Sequence, residues 1–240
     1  MKNLNLTLLL LFLTFISCGD DDDVINDDVS SEQVRYKNLL AYYPFEKNPF
    51  DQSGYNNHGI ANEVSITSDQ LALENFAYYF NGDDSGIEVP NNPQLFLDDE
   101  FTISAWIYPE EKKSQTILRK GSAISGTGAW PYGLSSSANE LIFSTNSEGQ
   151  LKQVKKNGYE INTWYLITGV LKDQKMFLYV NNELIATEEI QGSILNNDQP
   201  LLIGTRLNLP SNTFKGKIDE VRIYNVALNQ SEITSLFNKK

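Results

Sequence analysis

The chain has 240 residues, 31 acidic and 19 basic, for a formal net charge of −12, with one cysteine and one histidine. A single cysteine excludes a disulfide framework within the monomer, and the two residues together are too few for a zinc constellation. An acidic surface without a basic patch argues against nucleic acid as a partner.

At the N-terminus, Lys2 supplies a positive charge and Leu4 to Ile16 form a leucine-rich apolar run, which reads as an export signal over residues 1–17. The run falls short of the roughly 20 apolar residues of a membrane span. It ends at Ser17-Cys18-Gly19. A small residue and then cysteine directly after the apolar core resembles a bacterial lipoprotein box, with Phe15 standing where leucine is usual. The resemblance implies lipid on Cys18 and a chain held in the outer membrane by that lipid, its body displayed at the cell surface. An ordinary signal peptide that happens to hold a cysteine, or a free thiol, are the alternatives. Residues 18–35 carry Asp20 to Asp23, Asp27 and Asp28. Like charges in a block repel and stay extended, so this segment is a disordered tether outside any core. It resembles the acidic export tag of surface lipoproteins of the Bacteroidetes group; a plain solvated spacer is the other reading. The glycine-kinked spacing of a calcium loop does not follow it.

Residues 36–240 suit a single all-β sandwich in length. Strand-like runs separated by turn residues cover Leu39–Phe45, Phe76–Phe80, Gly86–Val89, Phe101–Tyr108, Gln115–Arg119, Tyr132–Ser136 and Leu141–Ser144. They continue at Trp164–Leu171, Met176–Val180, Leu184–Glu189, Pro200–Gly204 and Gly216–Tyr224. In Thr102-Ile-Ser-Ala-Trp-Ile107, Ile103, Ala105 and Ile107 share one face and Trp106 takes the other, which predicts cover on both faces. Asn181-Asn182 reads as a tight hairpin, since asparagine tolerates positive φ. After the last strand, Asn229 or Ser231 can cap a short helix whose apolar side is Leu228, Ile233, Leu236 and Phe237.

A family resemblance rests on motifs in a fixed order. They are Leu40-Ala-Tyr-Tyr-Pro-Phe45 with Asp51-Gln-Ser-Gly54 and Asn57-His-Gly59, Phe80-Asn-Gly-Asp83 with Gly86-Ile-Glu-Val-Pro90, and Phe101-Thr-Ile-Ser-Ala-Trp106. Then come Asn162-Thr-Trp-Tyr165, Leu178-Tyr-Val-Asn-Asn182, Leu202-Ile-Gly204 and the closing run from Phe214 to Ile233. Together they resemble laminin-G-like jelly rolls of the concanavalin A-like lectin/glucanase superfamily. The resemblance implies a sandwich of two antiparallel sheets with a short C-terminal helix. It leaves function open, because that fold hosts lectins, adhesion modules and glycosidases.

Glucanases of the superfamily use a Glu-x-Asp-x-x-Glu strand, whose two carboxylates flank the scissile bond about 5 Å apart. The chain lacks that run. Its adjacent acids are Glu110-Glu111, beside lysines, and Glu188-Glu189 and Asp219-Glu220 on strands, where neighbours are expected to point to opposite faces. His58 reads as a turn or packing histidine, with base or metal ligand as the functional alternative. Asp219, a carboxylate amid apolar strand residues, must be exposed, paired or bound to a cation. The resemblance implies one structural calcium, with Asp219, Glu46, Gly82 and Asp51 as candidate ligands and Asp84 as a further carboxylate. A hydrogen-bonded Asp219, or one paired with Arg222 or Arg206, is the alternative. For a ligand, the glycine-rich loop Gly121–Tyr132 presents Trp130 and Tyr132, although Tyr132 also matches a family core position, and Trp130 could equally plug the sandwich edge. Asn146, Glu148, Lys155 and Lys156 lie on later turns of the same rim, while Trp106 and Trp164 match core positions. The expectation is a non-catalytic surface module that binds a glycan or glycosylated partner. Protein adhesion and, less favoured, a divergent glycosidase are the alternatives.

Overall fold

The computed structural model describes residues 38–121, 130–205 and 210–238. The expected export signal, Cys18, the acidic tether, Arg206 and most of the Gly121–Tyr132 loop lie outside the described residues. Among the described residues there are fifteen strands: β1 (Leu39–Tyr43), β2 (Ile60–Asn62), β3 (Ser65–Thr67), β4 (Ala77–Asn81), β5 (Gly86–Val89), β6 (Phe101–Pro109), β7 (Gln115–Lys120) and β8 (Tyr132–Ser136). The others are β9 (Glu140–Ser147), β10 (Gln150–Asn157), β11 (Tyr165–Lys172), β12 (Lys175–Val180), β13 (Glu183–Glu189), β14 (Leu201–Ile203) and β15 (Lys215–Tyr224). Helix α1 (Gln230–Phe237) follows. Two antiparallel sheets form. The first runs β13-β12-β11-β6-β15-β4-β3 with β1 also paired to β15, and the second runs β10-β9-β8-β7-β14-β5-β2. This is the expected jelly-roll sandwich.

Period-two alternation sends one side of each strand between the sheets. Ile103, Ala105 and Ile107 of β6 meet Leu134, Phe143 and Leu201 of the second sheet in one continuous core. Phe101 anchors it, with the Tyr132 ring centroid at 5.7 Å and Phe143 at 6.1 Å. Gly169 of β11 makes room there, since a Cβ would lie 2.4 Å from the Phe143 ring.

The far side of the first sheet is covered too, as Trp106 predicts. Trp106, Leu166, Val170 and Tyr224 pack under Ile233 and Leu236 of α1, and Trp106 stacks on Phe237 at 5.6 Å and 18°. Asn229 caps the helix in a reciprocal box with Glu232, which satisfies two otherwise orphaned N–H groups. Asn181 and Asn182 both take positive φ, +50° and +73°. Asn182 also docks the helix: its Oδ1 accepts from Gln230 Nε2 and Thr234 Oγ1.

The sequence reading omits β2, β3 and β10. The first two have only three residues each. β10 is largely solvent-facing, with Val154 its one buried residue, so alternation is faint. Trp106→Ala should cost about 3–5 kcal/mol by urea denaturation, the usual penalty for deleting a buried tryptophan. A loss below about 1 kcal/mol would mean that the cap bonds alone hold the helix.

Candidate functional site

The last strand holds the acid that the sequence singles out. β15 pairs with β6 along its length. On its other edge it pairs first with β4 up to Ile218, then with β1 from Val221 onward. The exchange of partners falls at a bulge between Asp219 and Arg222, with Glu220 at φ +52°. Ile218 and Val221 both enter the inter-sheet core, so the two residues between them share the outer side. This corrects the expectation of opposite faces: an extra residue in the strand resets the alternation.

The two carboxylates then do different things. Glu220 accepts from the Tyr42 hydroxyl of β1 at 2.8 Å and pairs with the fully buried Arg222. The Arg222 guanidinium lies 4.4 Å from the Tyr42 ring centroid. Burial opposes the Arg222 charge, but Glu220, Tyr42 and Tyr224 raise its pKa on balance. The acid that ties the last strand to the first is therefore Glu220. Asp219 is 2% exposed and accepts from the Glu220 backbone N–H at 2.7 Å. Burial, then the neighbouring Glu220, holds its pKa well above the usual carboxylate range.

The other candidate calcium ligands are engaged elsewhere. Asp51 Oδ1 accepts from the backbone N–H groups of Tyr42 and Ser53, and Oδ2 from Ser53 Oγ and the Asn57 N–H. It organises the loop after β1. The Gly82 carbonyl accepts from Lys113 Nζ at 3.2 Å, and Glu46 is exposed. Asp84 Oδ1 accepts from Asn81 Nδ2. Among the described residues, no three acidic, histidine or cysteine side chains gather into a metal-holding group. The carboxylates of the expected set do not gather at one point among the described residues, and the cation expectation is carried by Asp219.

Tyr132 is not a ligand contact. Its ring is fully buried and its hydroxyl donates to the Leu95 carbonyl at 2.9 Å; this corrects its place among the binding residues and agrees with its core position in the motif. Trp130 lies two residues earlier and is half-buried on the outer side of the second sheet. There, Gln153, Ser144, Gly133, Arg119, Leu202 and Glu88 form one row across six strands. Trp130 Nε1 donates to Ser144 Oγ at 2.7 Å. Arg119 Cζ sits 3.6 Å from its ring centroid. A Cβ on Gly133 would come within 3.3 Å of the ring and 2.9 Å of the Leu118 carbonyl. A bare backbone below, a guanidinium on one side and a hydroxyl on the indole nitrogen thus fix the ring's orientation. Sequence reading found Trp130 but missed Arg119, Ser144 and Gly133; a bulge between Thr116 and Leu118 sends both Ile117 and Leu118 into the core, so simple alternation does not mark Arg119 as outward.

Of the remaining candidates, Asn146 follows Ser144 on the same face of β9, and Lys155 pairs with Glu140 at 3.2 Å. Lys156 donates to the Gly158 carbonyl. Glu148 forms the β9–β10 turn. His58 is exposed; its Nδ1 accepts from the Asp51 N–H at 3.2 Å and its ring lies 5.0 Å from Phe50, which is turn packing. Glu111 pairs with Lys113, and Glu110 accepts from the Tyr79 hydroxyl.

An acid whose folded pKa is raised contributes most below its unfolded value, and that contribution is lost as pH rises toward the folded value. Asp219→Asn keeps the acceptor for the Glu220 N–H and removes the buried charge. It should raise the melting temperature at pH 7 by about 3 °C, the scale of about 1 kcal/mol in a domain of this size, and leave acid pH unaffected. A lower melting temperature, matched by chelator treatment of the wild type, would instead place a cation at Asp219.

Similar proteins agree with this architecture. Over 237 residues the chain is 28% identical to botulinum neurotoxin type X of Clostridium botulinum, covering 93% of this chain and 17% of the toxin; the chain thus spans under a fifth of that relative. Among solved structures, the binding domain of Paraclostridial Mosquitocidal Protein 1 superposes with a TM-score of 0.68 at 22% identity, covering 84% of this chain and 52% of that one. Domain 4 of AbnA, a GH43 extracellular arabinanase from Geobacillus stearothermophilus, was solved in complex with arabinotriose. It superposes with a TM-score of 0.67 at 20% identity, covering 83% and 98%. Residues 81–234 match a laminin G family model, and on that match the chain belongs to the concanavalin A-like lectin/glucanases superfamily.

Proposed function

We propose that the chain is a non-catalytic surface binding module, lipid-anchored through Cys18, whose ligand is carbohydrate. The observation that carries this reading is the oriented Trp130 indole on the outer face of the second sheet. An aromatic ring held in place offers a sugar a stacking surface with little ordering cost. Arg119 is buried and serves to hold the ring, while the half-buried Gln153 of the same row supplies a polar group of the kind that fixes a sugar's orientation. Domain 4 of AbnA, similar in fold, holds arabinotriose, and the similar toxin structure is a binding domain, which supports binding over catalysis. The acidic pairs support it as well: Glu220 is tied to Arg222 and Tyr42, and Glu110 and Glu111 are each engaged by other side chains.

A protein partner is the second reading. It is favoured by edge strand β13, where Leu184 and Ile185 are 49% and 37% exposed beside unpaired backbone groups. A glycan array probed with the wild type and Trp130→Ala separates the two. The carbohydrate reading predicts a wild-type signal that the substitution weakens at least about tenfold, the worth of about 1.4 kcal/mol. No signal on any glycan would favour the protein partner, and a signal untouched by the substitution would move the site off Trp130.

A further inference from the structure

The two sheets part at one edge of the sandwich. Along the inward side of β10 the residues run Val154, Lys152, Gln150 toward the β9–β10 turn, so the apolar core gives way to polar groups at the mouth. There an open cleft of about 490 Å³ lies between β10, the β11–β12 turn and the end of β13. That volume falls in the range of small-molecule sites, about 300–1,000 Å³.

Its walls are built from fixed turns. Glu148 and Gly149 take φ of +50° and +82°, and Asp173 and Gln174 take +49° and +56°, the left-handed pairs of two-residue hairpins. The segment after β13 is bonded to both turns. The Ile190 N–H donates to the Gln174 carbonyl at 2.8 Å, the Glu148 N–H donates to the Ser193 carbonyl at 3.3 Å, and Ser147 Oγ donates to the Gln191 carbonyl. Gly192 leaves the space that the Glu148 side chain occupies: a Cβ there would lie 2.2 Å from the carboxyl carbon.

Five charges of both signs line this cleft: Glu148, Asp173 and Glu189 against Lys152 and Lys175. Among the described residues none of the five forms an ion pair, and Lys175 Nζ lies 5.8 Å from the Phe177 ring centroid outside the cleft. Three amides, Gln150, Gln174 and Gln191, stand among them, and no aromatic ring does. The carboxylates can only accept hydrogen bonds, the ammonium groups only donate, and the amides do both. A hydroxyl group donates and accepts at once, so a ligand with hydroxyls on successive carbons meets all three kinds without carrying a charge.

We propose that this cleft is a second binding site, for an uncharged oligosaccharide held edge-on by hydrogen bonds. It shares with the Trp130 reading only the chemical class of the ligand, and the two fail separately. The test is a titration of the 15N-labelled chain, read at the side-chain amides of Gln150, Gln174 and Gln191. The probes are arabinotriose, maltotriose, glucuronate and glucosamine. A neutral trisaccharide should shift these signals saturably with a Kd of about 1 mM. Lys152→Gln and Glu189→Gln, both at the surface, should each weaken that binding at least about fivefold, about 1 kcal/mol, and Trp130→Ala should leave it unchanged. Cleft signals that ignore both trisaccharides, or that respond to glucuronate or glucosamine alone, would overturn the proposal. Unweakened binding by both cleft variants, or loss of binding in Trp130→Ala, would overturn it as well.

Discussion

The Glu220 carboxylate, bonded to Tyr42 and paired with Arg222, is the contact on which the first sheet depends. β15 is the strand where β4, β1 and β6 converge. Two strands can share one of its edges only if the chain shifts between them, and the bulge between Asp219 and Arg222 is that shift. It carries a cost: a non-glycine residue at positive φ and an arginine with no exposure. Removing one partner of a buried pair leaves the other charge unpaired, which is typically worth about 3–5 kcal/mol. Tyr42 supplies both a hydroxyl for the carboxylate and a ring face for the guanidinium, so one β1 side chain serves both partners.

That frame determines where function can reside. One side of the first sheet faces the core and the other is roofed by α1. On the outer side of the second sheet, Trp130 lies over Gly133 beside Arg119, with Ser144, Arg119 and Leu202 buried and only Gln153 and Glu88 at the ends of the row reaching the surface. The mouth between β10 and β13 is a separate recess, polar because the inward residues of β10 turn from Val154 to Lys152 and Gln150. On the proposed reading the two places would hold sugars by different physics, ring stacking at the first and hydrogen-bond exchange at the second. Of the Asp219–Glu220 pair, the acids nearest in sequence to a glucanase strand motif, Glu220 serves as a strand tie and Asp219 accepts from the Glu220 N–H.

The sequence discloses the fold where burial leaves a pattern. Ile103, Ala105 and Ile107 alternate cleanly because both neighbours of β6 are long strands, and Trp106 betrays the covering helix because a tryptophan opposite a core face needs cover of its own. β10 is hidden because Val154 alone is buried. The bulge is hidden because no glycine marks it; Glu220 takes the left-handed conformation that glycine usually takes, held there by Tyr42 and Arg222, 178 and 2 residues away. The same long reach explains the site. Trp130 stands out by its residue type, but its partners Arg119 and Ser144 become neighbours only through strand register. Tyr132 looks like a second aromatic of the same loop, yet it is one step into β8 on the inward side, and register alone decides that.

A double-mutant cycle on Tyr42→Phe and Glu220→Gln measures the strand tie most directly. Each substitution preserves shape, so the cycle isolates the hydrogen bond between β1 and the bulge. A charged acceptor in a buried setting predicts a coupling of about 1.5–3 kcal/mol. Effects that add to within about 0.3 kcal/mol would contradict the account and show that β1 is held on β15 by its backbone ladder alone.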